Sequence, residues 1–185
     1  MVEDALAEAE ARMSGAGRTL EEDLSGIRTG RASPALIERL QVDYYGTPTT
    51  LVQLATISAP EPRLLTIRPF DPGSLKDIER AILASDLGLT PNNDGKMIRL
   101  NIPALTEERR RELVRHVHNR VEEAKVAVRN VRRDVHNDLR EFEHEKLISE
   151  DELKRGEDRL QKLTDVHIEK VSTIGRHKEA EVLEV

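Results

Sequence analysis

The sequence predicts an α+β protein of two domains: an elongated three-helix bundle with a small β/α/β domain inserted into it. Three long stretches place apolar residues at alternating steps of three and four, which is the spacing of one helix face. Between Thr29 and Ala104 that spacing disappears, and short β-branched runs flanked by prolines replace it. We therefore assign residues 1–30 and 104–185 to the bundle and residues 31–103 to the insert.

The first predicted helix follows the N-terminus. Two glycines, Gly15 and Gly17, interrupt it, and each weakens a helix interior by up to about 1 kcal/mol relative to alanine. Packing against other helices must therefore stabilise this segment. Its apolar stripe consists of Leu6, Ala9, Met13, Ala16, Leu20, Leu24 and Ile27.

The second predicted helix has the most regular stripe. Thr106 precedes Glu107 and Glu108, and such residues favour a helix start because they accept from free N–H groups and suit the positive end of the helix dipole. A helix from residue 106 to about 146 would be roughly 60 Å long. Its stripe consists of Val114, Val117, Val121, Ala124, Val128, Val131, Val135, Leu139 and Phe142.

The third predicted helix begins after a short break at residues 147–149. Ser149 is the expected N-cap, and Glu152 occupies the capping-box position. Two helices joined by so short a break must be antiparallel neighbours, and the first helix supplies the third wall of the bundle. We expect His167 at the margin of the core. The stripe consists of Leu153, Leu160, Leu163, Val166, Val171, Ile174, Val182 and Leu183.

The insert is predicted to contain short strands. Turn-forming residues at Tyr44–Pro48 separate two β-like runs. Further strands are expected at Leu51–Ser58, Leu64–Ile67 and Met97–Ile102, where β-branched or alternating residues lie near prolines. A domain of about 70 residues with this content is only marginally stable by itself.

One helix is predicted inside the insert. It opens at Ser74 and runs to about Leu87, and Gly88 is the expected residue after its C-cap. The face that should be buried consists of Leu75, Ile78, Ile82 and Leu83.

The two connections between the domains are candidate hinges. The first connection contains Gly30 and leads into Pro34, and the second contains Pro103. Because interfaces between domains are often small, relative motion is the default expectation. The alternative is a rigidly docked insert with ordinary turn residues. The candidate hinge residues are Thr29, Gly30, Arg31 and Ala32 on the way out, and Asn101, Ile102, Pro103 and Ala104 on the way back.

Composition excludes several classes of site. The chain is 35% charged and 2% aromatic, and it has no cysteine, which rules out disulfides, thiolate metal sites and cysteine nucleophiles. The first residues are acidic, and no stretch approaches the roughly 20 apolar residues of a membrane span. We therefore expect a cytoplasmic protein that makes no membrane contact.

One helical segment is basic inside an acidic protein. The net charge is −6, yet residues 106–140 carry ten basic and seven acidic side chains. Local charge matters most, because a phosphate backbone responds to charges within about 8–10 Å. The chain outside this segment is acidic at both ends, so a nucleic-acid partner would meet the second helix.

Basic residues of the second helix recur at three- and four-residue steps. They are Lys125, Arg129, Arg132, His136 and Arg140, with Arg133 at the edge, and they fall within an arc of roughly 80° beside the valine stripe. Guanidinium groups in such a row suit phosphate oxygens. The alternative is a solvated face paired with neighbouring acids. Further basic elements are Arg28 with Arg31, and Arg109, Arg110 and Arg111.

Catalytic motifs are absent from the sequence, so we predict that the protein is not an enzyme. His116 and His118 point to different sides of a helix and cannot chelate one metal ion. No glycine-rich phosphate loop, nucleophile elbow or zinc-protease pattern occurs. No catalytic residue, metal or cofactor is therefore predicted.

Five spaced segments resemble the ribosome recycling factor family, and the resemblance covers essentially the whole chain in order. One departure is the glycine pair at residues 15 and 17, which affects no functional position. The segments are Ile27–Pro34 (IRTGRASP), Val42–Thr47 (VDYYGT), Ser85–Pro91 (SDLGLTP), Leu105–Arg110 (LTEERR) and Val128–Asp134 (VRNVRRD).

The resemblance implies a function. Members of this family bind the ribosome after termination and, with elongation factor G and GTP, promote its dissociation into subunits, which releases mRNA and tRNA. The bundle would contact large-subunit rRNA, with Arg132 and Arg129 on that contact. The insert, including Tyr44 and Tyr45, would meet the GTPase and swing about the hinge. The full set of candidate RNA-binding residues is Arg132, Arg129, Arg133, Arg28, Arg31, Lys125 and Arg110.

Two other readings compete with this one. A coiled-coil adaptor would form stable oligomers and would not associate with ribosomes. An enzyme would need a catalytic constellation that the sequence lacks. The recycling interpretation predicts a monomer whose ribosome binding is sensitive to salt, because phosphate contacts release counterions.

Overall fold

A computed structural model describes residues 1–184, in which the chain forms two compact units. One comprises Met1–Arg28 together with Glu107–Glu184, and the other comprises Thr29–Thr106. The chain thus passes between the units after Arg28 and after Thr106, whereas the sequence predicted these boundaries after residues 30 and 103. Residue 185, the last of the predicted bundle, lies outside the described residues.

The elements follow one another as helix, hairpin, four-stranded sheet with a helix, and two long helices. The helices are α1 (Val2–Ser25), α2 (Leu51–Leu54), α3 (Leu75–Ala84), α4 (Glu107–His144) and α5 (Glu150–Leu183). The strands are β1 (Gln41–Tyr44), β2 (Thr47–Thr50), β3 (Ala55–Glu61), β4 (Leu64–Pro69), β5 (Pro91–Asn93) and β6 (Ile98–Asn101). Within the described residues, no helix has the length and apolarity needed to cross a membrane.

In the first unit α1, α4 and α5 pack around one aliphatic core, so the predicted three-helix bundle is confirmed. The stripes of α1 and α4 supply most of this core, although Leu113 is buried where the predicted stripe began with the half-buried Val114. The buried core residues are Ala5, Leu6, Ala9, Met13, Leu20, Leu24, Val117, Val121, Ala124, Val128, Val131, Val135, Leu139, Leu160 and Val171.

The buried face of α5 differs from the prediction. Val166 was expected in the stripe but is 51% exposed, whereas His167, expected at the margin, is only 3% exposed. The reason is helical phase: Leu160, His167 and Val171 recur at steps of seven and four, and Val166 lies about 100° away from His167. The His167 ring nitrogen Nε2 lies 3.3 Å from the Glu10 carboxylate of α1, which gives this buried polar group a partner.

Small residues let α5 approach its neighbours closely. A Cβ atom added at Gly175 would lie 2.5 Å from Cγ2 of Val121 on α4. A Cβ at Gly156 would lie 3.3 Å from both Leu139 and Val2. Both glycines are buried, so the bundle core on this side is filled by side chains from α4 and α1 rather than from α5.

The predicted start of α5 is confirmed. Ser149 Oγ accepts from the backbone N–H of Glu152 at 3.2 Å, and the Glu152 carboxylate accepts from the backbone N–H of Ser149 at 2.7 Å. This reciprocal pair is a capping box. These hydrogen bonds lower the pKa of Glu152. The chain reverses at Lys146, whose φ is +59°, so α4 and α5 are antiparallel neighbours.

The second unit combines a hairpin, a sheet and α3 around its own core. β1 and β2 pair antiparallel through a two-residue turn, Tyr45 and Gly46, whose φ values of +50° and +84° suit the twist of a hairpin. The other strands form an antiparallel sheet in the order β3-β4-β6-β5. The core consists of Ala32, Ile37, Val42, Leu51, Leu54, Ala55, Leu65, Ile67, Leu75, Ile78, Ile82, Ile98 and Leu100.

One predicted strand of the insert is wrong in its extent, and one strand was not predicted. Residues Leu51–Leu54, expected to begin a strand, form a helical turn. Leu51 and Leu54 are both buried while Gln53 is exposed, so the chain here follows a helical spacing, and the strand starts only at Ala55. The short edge strand β5 was not predicted, and its Pro91 is tolerated because an edge strand leaves N–H groups unpaired.

The end of α3 also differs from the prediction. The helix stops at Ala84, where the Ser85 hydroxyl donates to the carbonyl of Ile82 at 2.6 Å. Gly88 has a φ of +65° but lies beyond this end, so it is not the residue after the C-cap. Leu83 is 62% exposed rather than buried, because it lies one position, or about 100°, beyond Ile82.

Candidate nucleic-acid interface

The basic row of α4 lies on a rigid part of the bundle. Arg129, Arg132, Arg133 and Arg140 are exposed, whereas Val128, Val131 and Val135 on the adjoining face are buried in the core. Because the valines fix the rotation of α4, the arginines are held at one side of it. Three arginines within five residues form what we call the arginine cluster: Arg129, Arg132 and Arg133.

Lys125 and His136 of the row have acidic partners, and in the described part of the chain its arginines do not. The Lys125 ammonium lies 3.4 Å from Glu122, and His136 Nε2 lies 3.0 Å from Glu157 of α5. Among residues 1–184, no carboxylate oxygen lies within 4.0 Å of a side-chain nitrogen of Arg129, Arg133 or Arg140. Among the described residues, the pairing with neighbouring acids that the alternative required is therefore present in this row only at Lys125 and His136. The arginines of the row keep their positive charge.

Arg132 has a neutral partner instead. Its Nη1 donates to Oε1 of Gln161 on α5 at 2.8 Å, and Gln161 Nε2 donates to Oδ1 of Asp165 at 2.8 Å. The guanidinium is thus held by an amide, which orients it without cancelling its charge. The sequence indicated the row but gave no indication of Gln161 or Asp165, because these contacts depend on how α4 and α5 face each other.

The other candidate basic residues belong to other segments of the chain. Arg110 is in the first turn of α4, about 22 Å along the helix from Lys125, and it is half-buried. Its neighbours are paired: Arg109 with Glu112 at 2.9 Å, and Arg111 with Glu107. Arg28 is exposed just after α1 in the first unit. Arg31 is exposed in the second unit.

A second surface of interest is aromatic and lies on the insert. The hydroxyl groups of Tyr45 and Tyr44 both donate to Oδ2 of Asp71, at 3.0 and 3.3 Å. Their rings pack edge to face with centroids 4.6 Å apart. Tyr45 is 75% exposed, and Phe70, which the sequence reasoning did not single out, is 68% exposed beside Asp71. We call Tyr44, Tyr45 and Phe70 the aromatic surface.

Asp71 organises this surface. Its Oδ1 accepts from the backbone N–H of Gly73 at 2.9 Å. This bond, followed by the tyrosine hydroxyls, lowers the pKa of Asp71. In return, the hydrogen bond to Asp71 raises the pKa of Tyr45, and desolvation followed by Asp71 raises that of Tyr44. The aromatic surface is therefore tied to the turn after β4. The signal that could have revealed it is composition: three of the four aromatic residues lie between positions 44 and 70.

Several candidate hinge residues are fixed within the insert. The Ala32 N–H donates to the Pro62 carbonyl at 2.7 Å, and the Ile102 N–H donates to the Arg63 carbonyl at 2.8 Å. Asn101 belongs to β6. Gly30 has a φ of +73°, and a Cβ there would lie 3.1 Å from the Leu105 side chain. Thr29, Arg31, Pro103 and Ala104 lie outside the helices and strands.

Comparison with known proteins decides the family. The family model for ribosome recycling factor matches residues 20–183. The chain belongs to this family. The resemblance inferred from the five sequence segments is therefore confirmed.

Curated relatives match along their whole length. Ribosome-recycling factors of Roseiflexus castenholzii and Geobacillus are 56% and 54% identical over 185 residues, which cover all of this chain and all of each relative. Dehalococcoides mccartyi has another, 53% identical over the same span.

Solved structures agree in fold. A solution structure of ribosome recycling factor is 44% identical, has a TM-score of 0.73, and is matched over 100% of this chain and 98% of that one. A second, 46% identical with a TM-score of 0.63 and full coverage of both chains, is the T. thermophilus ribosome recycling factor. It was placed with the E. coli elongation factor G on the E. coli post-termination complex.

Within residues 1–184 no group of acidic or histidine side chains is arranged to hold a metal ion.

Proposed function

We propose that this chain is a ribosome recycling factor that binds the post-termination ribosome. With elongation factor G and GTP it promotes dissociation into subunits, which releases mRNA and tRNA for new rounds of translation. The observation that carries this proposal is the match to curated ribosome-recycling factors over the entire chain at more than half identity. The relative studied with elongation factor G on a post-termination complex supports the same partners.

The bundle contacts large-subunit rRNA through the arginine cluster of α4. Three exposed guanidinium groups without carboxylate partners are suited to phosphate oxygens, which they grip in a forked geometry. Lys125, Arg110, Arg28 and Arg31 are further phosphate contacts in this proposal. Lys125 is paired with Glu122, and Arg110 is half-buried, so we expect each of these two to contribute less than Arg132.

The aromatic surface contacts elongation factor G. The exposed side chains of Tyr45 and Phe70 offer apolar contact area, and aromatic residues are enriched where proteins bind each other. Asp71 positions Tyr45 through its hydroxyl, so the ring is presented in one orientation. This contact couples the insert to the GTPase.

Movement of the insert relative to the bundle transmits force. Ala32, Asn101 and Ile102 are bonded within the insert, so we place the bending at Thr29–Arg31 and Pro103–Thr106. A bundle whose core is continuous along α4 is close-packed and stiff, and therefore suits a lever. The chain supplies binding energy and stiffness, and the chemistry belongs to the GTPase: the protein is not an enzyme. We place it in the cytoplasm, as a monomer.

The decisive experiment measures splitting of post-termination ribosomes by elongation factor G and GTP, followed by light scattering. We expect splitting to depend on this protein. Arg155→Ala, which removes an exposed arginine elsewhere on the bundle, is the matched control and should act as the wild type. No stimulation by the wild-type protein would refute the function, and full activity of Arg132→Ala would refute the assigned rRNA contact.

A separate experiment tests the moving insert. A chemical cross-link that locks the two units should abolish splitting while ribosome binding is retained. Reversal of the cross-link should restore splitting, which controls for damage during the reaction. Retained splitting with the cross-link intact would refute the lever.

A further inference from the structure

We propose that Gln161 and Asp165 of α5 are positioning residues for RNA recognition. They hold the Arg132 guanidinium in place on the face of α4 while leaving its charge unneutralised. This inference rests on the proposed contact of Arg132 with rRNA. It extends the binding site from one helix to two.

The contacts form a chain with a fixed direction. Arg132 Nη1 donates to Gln161 Oε1, and Gln161 Nε2 donates to Asp165 Oδ1, each over 2.8 Å. A carboxylate can only accept, so Asp165 binds the NH₂ end of the Gln161 amide. The amide oxygen is then the end that faces α4. Asp165 thus selects the orientation of Gln161 in which it accepts from an arginine.

The chain is anchored on a rigid segment of α5. Gln161 and Asp165 are one helical turn apart, which brings their side chains together on one face. Leu160 and Thr164, their immediate neighbours, are 1% and 4% exposed, and the Thr164 hydroxyl donates to the Leu160 carbonyl at 2.8 Å. Because the backbone here is fixed in the core, the two polar side chains provide a stable support for Arg132.

The neutral acceptor distinguishes this position from others along the same helix pair. His136 and His118 of α4 meet carboxylates of α5, Glu157 and Glu179, each at 3.0 Å. A carboxylate in place of Gln161 would pair with the guanidinium and cancel the charge that a phosphate needs. The Gln161 amide oxygen takes up one N–H group of Arg132, and the remaining N–H groups of the guanidinium can bind a ligand.

The contact with Gln161 should increase the affinity for RNA by ordering the Arg132 side chain, and not by adding charge. A long arginine loses conformational freedom when it binds, and a side chain that is already held loses less. Loss of Gln161 should therefore weaken binding without changing the number of phosphates contacted. The salt dependence of binding reports that number, because each phosphate contact releases counterions. Affinity and salt slope thus separate a positioning role from a charge contribution.

The test measures the affinity of bacterial large ribosomal subunits for five proteins over a range of salt: wild type, Arg132→Ala, Gln161→Ala, the double variant and Gln161→Glu. We expect Gln161→Ala to bind about two- to tenfold more weakly with an unchanged salt slope. Arg132→Ala should reduce the slope by roughly 0.7–0.9. The double variant should bind no more weakly than Arg132→Ala, since Gln161 acts through Arg132.

Gln161→Glu changes the charge beside Arg132 rather than the hydrogen bond. It keeps a hydrogen-bond acceptor for Arg132 but adds a carboxylate, so it should reduce both the affinity and the salt slope, as Arg132→Ala does. Asn137→Ala, an exposed neutral substitution on α4 outside the row, is the control and should bind as the wild type. Gln161 is exposed, so its variants should retain the helical circular dichroism of the wild type.

Two outcomes would overturn the positioning role while leaving the rRNA contact of Arg132 in place. One is wild-type affinity for Gln161→Ala. The other is a double variant that adds the two single losses, because Gln161 would then contact the RNA itself. If Arg132→Ala matches the wild type in affinity and slope, the rRNA contact proposed above fails, and the positioning role fails with it. Failure of the rRNA contact can be told from failure of the positioning role alone, because only the former appears in the Arg132→Ala variant.

Discussion

The bundle and the insert bury similar aliphatic cores but present different chemistry at their surfaces. On the bundle, the exposed residues of interest are arginines spaced along one face of α4, and the valines beneath them fix that face. On the insert, they are the two tyrosine rings held by Asp71 at a hairpin turn, and the exposed Phe70 after β4. A helix face presents charge at regular intervals, which suits a phosphate backbone. Turns place a few large side chains together, which suits a protein partner.

The largest effect should come from removing the arginine cluster. Arg129→Ala/Arg132→Ala/Arg133→Ala should make the salt slope of ribosome binding shallower by about two to three, at roughly 0.7–0.9 per phosphate contact. Tyr45→Ala/Phe70→Ala should leave this slope unchanged but reduce splitting by elongation factor G. Ribosome binding over a salt series checks the prediction for the arginine variant, and splitting rates check the prediction for the aromatic variant. A changed salt slope in the aromatic variant would contradict the division of roles.

The next effect concerns the two cores. Leu139 in the bundle and Leu65 in the insert are both fully buried, so alanine at either should lower the stability by about 2–5 kcal/mol. Both tyrosines lie in the insert and the chain has no tryptophan, so tyrosine fluorescence reports the insert. Far-ultraviolet circular dichroism mainly reports the bundle. We expect Leu65→Ala to shift the fluorescence transition in urea and Leu139→Ala to shift the dichroism transition.

Exposed leucines provide the matched controls for this experiment. Leu147, between α4 and α5, is 51% exposed, and Leu83 in the insert is 62% exposed. Alanine at either should change stability by no more than about 0.5 kcal/mol. Equal shifts of both transitions in each core variant would mean that the two units unfold as one.

A pair of glycine substitutions tests the packing of the bundle and should have opposite signs. Gly175→Ala places a Cβ atom 2.5 Å from Val121 in the core and should destabilise by about 1–3 kcal/mol. A Cβ at Gly17 in α1 meets no atom within 4 Å, so Gly17→Ala should stabilise by up to about 1 kcal/mol through helix propensity. Urea midpoints from circular dichroism check both. Destabilisation by Gly17→Ala would indicate that this position needs its glycine.

The smallest effect is a pH dependence with one source in each unit. The pKa values of Asp71 and Glu152 are lowered in the folded state by backbone N–H groups. As the pH falls, the unfolded chain therefore binds protons first, near the ordinary values of about 3.9 and 4.3. The stability that these carboxylates contribute is present above those values and is lost as the pH falls through the lower folded-state pKa values.

Each carboxylate should be visible through a different probe. Asp71→Asn should flatten the acid dependence of the tyrosine fluorescence transition. Glu152→Gln, which retains an acceptor at the capping-box position, should flatten that of the dichroism transition. The measurement is a set of urea midpoints between neutral and acid pH. An unchanged acid dependence in both variants would contradict the assigned hydrogen bonds.

The sequence alone determined the features that arise from local periodicity and local hydrogen bonding. The stripes of α1 and α4, the capping box at Ser149 and Glu152, and the turn after Tyr44 all depend on residues a few positions apart. The arginine cluster belongs to this group, because a helix with a fixed buried face also has a fixed exposed one. Family membership followed from short segments in a constant order.

Tertiary structure decided what depends on contacts between distant parts of the chain. It buried His167 and exposed Val166, because the phase of α5 is set by its neighbours rather than by its own most apolar residues. It brought Asp71 to the hydroxyl groups of the two tyrosines and Gln161 to Arg132, the latter across 29 residues of chain. It also decided that the arginine cluster has no carboxylate partners among the described residues. Charge spacing can be counted along a sequence, but whether a charge is neutralised depends on which helix lies next to it.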